Sequence, residues 1–300
     1  MRIGVIGLGG IAQKAYLPVI TAREDIELIF CTRDSEKLEK LAKQYRVSEY
    51  TTSVDELINL NIKAAFVHTA TDSHFEICKK LLTSGIDVYV DKPLSYSYEE
   101  SKELASIAKK CNRTLMVGFN RRFAPMYASL KKEKTANIII MQKNRFARPE
   151  DIRTFVLDDY IHVIDTVRYL MGGEVSDLQV NGLLEGDNLY NVVTKLSNTN
   201  TTSIAIMNRN SGMSEEVLEY MCAEKKLVVK ESALTSTFAN NEESLSRLAD
   251  WDTTLFRKGF FQIINHFLDC VRDGKATDIS LEDALITHEI CEQIIDKLLE

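Results

Sequence analysis

The chain has 300 residues, enough for one large domain or two ordinary ones with a sizeable core. Apolar residues make up 45% and charged residues 27%, the balance of a globular protein, and the formal net charge is -7. That acidity, without a dense Lys/Arg block, excludes general nucleic-acid binding, and no run nears the roughly 18 uninterrupted apolar residues of a membrane span.

The opening, MRIGVIGLGGIAQKAYLP, has a basic residue and a short apolar run, but QKAYLP stands where a signal peptide would carry its small-residue cleavage site. Six cysteines (Cys31, Cys78, Cys111, Cys222, Cys270, Cys291) show no C-x-x-C pair and no metal-like spacing. Reduced thiols, no metal and a cytoplasmic location are the expectation.

Taken in order, short β-branched runs recur at residues 3–6, 26–31, 62–68, 86–90 and 114–119. Between them lie helical patterns. Leu38, Leu41, Ala42 and Tyr45 follow a cap at Asp34 or Ser35, and Ser97-x-x-Glu100 is a capping box leading into Leu104, Ile107 and Ala108. Strands alternating with helices predict βαβ units and a parallel sheet, so residues 1–120 read as a doubly wound Rossmann domain. Residues 121–300 read differently. A helix over 158–171 precedes strands between Glu174 and Lys230 joined by short turns, and helices near 255–272 and 280–299 follow. The expected whole is α/β: a Rossmann domain, then an α+β domain with a mostly antiparallel open sheet for substrate binding and oligomerisation.

The first turn, Gly7-x-Gly9-x-x-Ala12, lies between a strand and a helix. Gly7 allows the tight turn, Gly9 lets backbone approach a pyrophosphate, Ala12 lets the helix pack close, and the helix N-terminus attracts phosphate charge. About 20 residues on, an NAD enzyme usually shows an acid for the ribose 2′-hydroxyl. Here Thr32 ends the strand, with Arg33 next and Lys37 a turn later. A hydroxyl beside two cations favours NADP over NAD, although Asp34 remains available to a ribose hydroxyl.

Doubly wound sheets bind ligands beyond the carboxyl ends of their strands, where Gly7, Thr32, Thr69, Lys92 and Asn120 all fall. Pro93 restricts Lys92, whose ammonium can hydrogen-bond a hydroxyl that is becoming a carbonyl. On the helix over 158–171, a step of about 100° per residue gathers Asp158, His162, Asp165 and Tyr169 on one polar face. A carboxylate one turn from an imidazole orients it and stabilises its protonated form; an ordinary solvated Asp–His pair has the same spacing.

With GLGGIAQKAYLP, FVHTATDSHF, YVDKPLS, LMVGFNRRFAP and LDDYIHVID together, the chain resembles the Gfo/Idh/MocA family of NAD(P)-dependent sugar and polyol oxidoreductases, in particular its MviM-like subgroup. The likeness runs nearly end to end. It implies that Asp91-Lys92-Pro93 stands for the family's Glu-Lys-Pro motif, and that Asp158 and His162 are its acid–base dyad. Lys92 would touch the reacting hydroxyl, His162 would exchange its proton and Asp158 would orient His162. Cofactor contacts are expected from Gly7, Gly9, Gly10, Ile11, Ala12, Thr32, Arg33, Lys37, Thr69, His74, Asp91, Lys92 and Asn120. The resemblance also implies a homodimer or homotetramer built through the open sheet. Two departures stand out: RTFVLDDYIH lacks the family's glycine-rich turn and has Tyr160 where a glycine is usual, and Asp91 is shorter than glutamate.

Arg121 and Arg122 follow the last Rossmann strand, and Arg145, Arg148 and Arg153 precede the dyad helix. Arg121, Arg122 and Arg145, with Lys92, Asp158 and His162, are the candidate substrate contacts, suited to a carboxylated or phosphorylated sugar or equally to pairing with the chain's many acids. A hydride-transferring dehydrogenase is the leading function. A non-catalytic NAD(P)-sensing protein that binds a protein partner is the alternative, and it would need no acid–base dyad.

Overall fold

Six short strands of the N-terminal region run parallel: β1 (Arg2–Ile6), β2 (Glu27–Cys31), β3 (Glu49–Thr51), β4 (Ala64–Val67), β5 (Asp87–Val90) and β6 (Leu115–Val117). The computed structural model describes all residues, Met1–Glu300. Their order is β3-β2-β1-β4-β5-β6, so the winding reverses between β1 and β4. Strands β4 and β5 are buried along their whole length, as apolar runs covered by helices on both faces must be. Side-chain caps start the helices between them. Asp34 accepts from the Lys37 amide at 3.0 Å, and Ser97 accepts from the Glu100 amide at 3.3 Å. Only half of the expected capping box forms at Ser97, because the Glu100 carboxylate takes the Ser95 hydroxyl instead.

The chain forms two compact units, one of Met1–Phe119 with Phe260–Ile286, the other of Asn120–Gly259 with Thr287–Glu300. The expected second domain, residues 121–300, is therefore not continuous. The helix Phe260–Asp273 returns to the Rossmann unit because its rings have partners there. Phe260 meets Tyr16 edge-on at 5.3 Å between ring centroids, and Phe267 meets Phe66 at 5.3 Å and Tyr89 at 5.5 Å. Arg23 fixes the same helix by donating to Asn265 at 2.9 Å.

The second unit holds a larger sheet. Its strands are β7 (Ala136–Asn144), β8 (Glu150–Asp151), β9 (Asp177–Glu185), β10 (Asn188–Ser197), β11 (Thr202–Asn208), β12 (Glu215–Cys222), β13 (Lys225–Lys230), β14 (Leu234–Ala239) and β15 (Glu242–Arg247). They run in the order β15-β14-β13-β12-β7-β11-β10-β8, with β9 also on β10. Every pairing is antiparallel except β7 with β11. Strand β7 lies outside the Glu174–Lys230 stretch expected to supply the strands, yet it is central, flanked by β11 and β12. Strict alternation along β11 and β12 turns Ser203, Ala205, Met207, Leu218 and Tyr220 inward, while Ile204, Ile206, Val217 and Met221 point out half-buried. No helix of the protein is long and apolar enough to cross a membrane, and all six cysteines are free thiols.

Candidate active site

The expected nucleotide contacts of the first unit gather at the carboxyl ends of β1, β2, β4 and β5. Gly7 has φ +86°, and a side chain there would press a Cβ to 2.6 Å from the Thr69 amide nitrogen and 2.7 Å from the His68 carbonyl carbon. Only glycine tolerates both the dihedral and the closeness. Gly9 and Gly10 have nothing within 4 Å of the place a Cβ would occupy, which is the open backbone a pyrophosphate needs. Ala12 is fully buried, as close helix–sheet packing requires, whereas Ile11 is 43% exposed. The helix here opens into a π-turn over Ala12–Tyr16.

A cleft of about 550 Å³ follows, lined among others by Gly7, Gly9, Thr32, Arg33, Lys37 and Thr69. The Thr69 hydroxyl is buried and makes no hydrogen bond within the chain. Open glycines, an orphaned hydroxyl and two cations on the wall fit the phosphates and sugar of a dinucleotide. Asp34 is already engaged, capping the helix Ser35–Tyr45 and bridging to Lys37 Nζ at 3.1 Å.

Lys92 follows β5 after Asp91, and the Lys92–Pro93 peptide is cis. Its backbone amide donates to Asp91 Oδ1 at 3.0 Å, and the Tyr16 hydroxyl donates to the same oxygen at 3.0 Å. Burial raises the Asp91 pKa even though Lys92 and the Tyr16 hydrogen bond oppose the shift. Tyr16 also lies 3.2 Å from the Tyr89 hydroxyl and stacks on His68, with centroids 3.8 Å apart. Burial, and then His74, push His68 down to about 3, so it is neutral. Sequence reasoning missed this aromatic support. Its one signal was the hydroxyl that Tyr89 carries into the buried strand β5.

Two expected cofactor contacts turn out to be struts. His74 is buried, with Nδ1 2.9 Å from the Pro93 carbonyl oxygen and Nε2 3.2 Å from that of Thr69, so it ties two loops of the cleft together. Asn120 is buried in the second unit, where its amide donates to the Lys258 carbonyl at 2.7 Å.

The expected dyad residues lie on one helical run of the second unit: a turn at Ile152–Thr154, a π-segment at Phe155–Tyr160, then the α-helix Ile161–Met171. Asp158, His162 and Tyr169 are partly exposed along it. Asp165 departs from the expected polar face. It is 1% exposed and receives Arg122 through Nε at 2.9 Å and Nη2 at 2.5 Å, plus the Thr287 hydroxyl at 2.9 Å. Three residues from His162 it sits at the edge of that face, and a bidentate guanidinium inside outcompetes water.

Arg122 is thereby committed to a buried pair, and so is Arg121, which donates to Glu216 at 3.0 and 2.6 Å. Neither guanidinium is presented to a substrate as expected. Burial alone would raise Glu216, but Arg121 outweighs it and holds the carboxyl well below the usual range. Arg153 pairs with Glu292 at 2.6 Å. Arg145 donates to Asp159 at 2.8 and 3.1 Å but keeps 36% of its side chain exposed. Asp159 was not singled out in the sequence, yet it is the buried anchor of the π-segment, held also by Lys143. Burial would raise Asp159 too; Lys143 and Arg145 override that and keep it ionised. The Tyr160 hydroxyl donates to the Ala205 carbonyl at 2.8 Å beneath. Tyr160 is therefore packed in the core.

A doubly wound parallel sheet with an open glycine turn defines the class of NAD-binding Rossmann proteins. Comparison with known proteins places the chain within that class. Residues 1–119 match the Gfo/Idh/MocA model described as "Oxidoreductase family, NAD-binding Rossmann fold", and residues 125–238 match "YceM-like, C-terminal domain". YceM of Salmonella typhimurium, a protein named as an oxidoreductase, is 34% identical over 98% of this chain and 97% of its own. The scyllo-inositol 2-dehydrogenase (NAD(+)) of Bacillus subtilis is 24% identical over 97% of this chain and 92% of its own. The crystal structure of the dehydrogenase MviM from Clostridium difficile superimposes with a TM-score of 0.95 at 34% identity, covering 99% of both chains. This chain belongs to the Gfo/Idh/MocA oxidoreductase family.

Proposed function

We propose that the protein is an NADP-preferring dehydrogenase or reductase acting on a CH–OH or C=O group of a sugar or polyol-like substrate. The observation that carries this reading is a division of labour among three acids of the dyad helix. Asp159 and Asp165 are buried in ion pairs, while Asp158 and His162 stay partly exposed at the spacing of one turn. A helix pinned from behind by its spare acids holds its remaining pair still for proton transfer. The inositol dehydrogenase among the relatives supports the substrate class.

His162 takes the hydroxyl proton in oxidation and returns it in reduction, and Asp158 orients the imidazole and offsets its charge. Lys92 donates to the substrate oxygen whose charge changes during the reaction. Nicotinamide, when bound, supplies or accepts the hydride. The preference for NADP rests on Thr32, Arg33 and Lys37 in the cleft wall and on the engagement of Asp34 as a helix cap. Free thiols throughout support a cytoplasmic setting.

The outward face of the large sheet supports a homo-oligomer. Register brings Ile138 beside Met221, Ile140 beside Ile204 and Val193 beside Ile206, a continuous apolar stripe in which Ile138 is 40% and Val193 38% exposed.

The test of the reaction is a screen of carbonyl sugars for NADPH consumption, followed by Lys92→Ala and His162→Ala on the substrate found. Each substitution is expected to lower kcat by about 10²- to 10⁴-fold. Unchanged turnover in both would remove the proposed roles.

A further inference from the structure

Around Asp159 the second unit gathers more positive charge than its own carboxylates answer. Lys143, Arg145 and Arg209 all converge on the single Asp159 carboxylate, and Arg121 lies behind them on Glu216. Glu150 adds one further carboxylate, 3.7 Å from Arg209 Nη1 and partly exposed. Four basic side chains thus face three acids, and Lys258 with Glu231 adds one of each sign nearby. Buried charges in proteins are ordinarily matched one for one, because an unmatched one loses its hydration without recompense.

Arg209 shows where the shortfall lies. Its residue is 4% exposed, its Nη2 reaches Asp159 only at 4.0 Å, and its Nε and Nη1 make no hydrogen bond within the chain. Its guanidinium instead lies 5.1 Å from the centroid of the Phe155 ring. Burial pushes the Lys143 ammonium down to about 7, with Arg121 and Arg145 adding to the shift against Asp159. The cluster opens to solvent through Arg145, next in space to the segment that carries Asp158.

We propose that this cluster receives an anionic group of the substrate, a carboxylate or a phosphate monoester, with Arg145 and Arg209 as its binding residues. An incoming anion gives Arg209 the acceptor it lacks and favours the charged form of the neighbouring Lys143. The assignment narrows the substrate class of the dehydrogenase reading above and rests on it: the substrate is an acidic or phosphorylated sugar and not a neutral polyol.

Calorimetric titration of the full chain at low ionic strength with D-glucuronate, D-glucose 6-phosphate and neutral D-glucose tests this and separates carboxylate from phosphate. NADPH is titrated into the same preparations. At least one anionic sugar is expected to bind about tenfold or more tightly than glucose. Arg145→Gln, at a partly exposed side chain, and Arg209→Gln should each remove that margin while NADPH affinity stays at the wild-type level. Equal affinity for the three sugars, no binding of either anionic sugar, or a margin that survives both substitutions overturns the proposal. NADPH binding without an anion margin would sink the anion site and leave the dehydrogenase reading standing. An anion margin in a protein that binds no dinucleotide would do the reverse.

Discussion

Gly7 holds the tightest turn of the first unit. Its φ of +86° and the 2.6 Å approach to the Thr69 amide leave no room for a side chain, and both faults appear together in Gly7→Ala. Left-handed strain costs roughly 1–2 kcal/mol, and the clash with backbone adds to it by moving the loop that lines the cleft. The variant is expected to fold with a lower Tm and to lose NADPH affinity at least about tenfold. Gly10→Ala, with nothing within 4 Å, should keep the wild-type Tm and lose affinity only. Melting curves with and without NADPH separate the two outcomes. Equal behaviour of the two variants would contradict the separate roles given to these glycines.

At the scale of elements, the dyad helix depends on the buried pair beneath its π-segment. Burial, then Arg121 and Arg145, bring the Lys143 ammonium down to about 7, whereas in an unfolded chain lysine titrates near 10.4. Between those values the unfolded state binds more protons than the folded one, so this group makes stability rise with pH from about 7 to about 10 and nothing below. Subtracting the curve of Lys143→Met from that of the wild type should isolate such a rise in denaturant midpoints. A flat difference across that window would show that Lys143 is not held in a depressed state. Lys143 was legible in principle, since strand alternation puts it on the face of Ile139 and Met141. The apolar run ANIIIM hid it, because a run apolar on both faces shows no period to read. The π-segment was not legible at all: its Asp159 is buried by Lys143 and Arg145, cations that lie elsewhere in the chain and leave no local period to read. The strand runs, the glycine turn and the helix caps could be read because each is a local signal. The return of the helix Phe260–Asp273 to the first unit could not, for its partners Tyr16, Phe66 and Tyr89 lie far away in sequence.

For the whole molecule, an apolar stripe on an open sheet is stable in water only if it is covered or small. Covering it with a second copy predicts a sedimentation coefficient above that of a 34.0 kDa monomer. Ile140→Glu together with Ile206→Glu, both outward on adjoining strands, should return the protein to a monomer at micromolar concentration while leaving its far-UV circular dichroism intact. A wild type that sediments as a monomer would leave the stripe without the role given to it. The central claim, however, concerns the cofactor. Titration of the purified protein with NADPH and with NADH, followed by energy transfer from protein aromatics to the nicotinamide, tests it most directly. Tight binding of NADPH with much weaker binding of NADH is the predicted result, through Thr32, Arg33 and Lys37. Preference for NADH would overturn the NADP assignment alone; binding of neither would contradict the dehydrogenase itself.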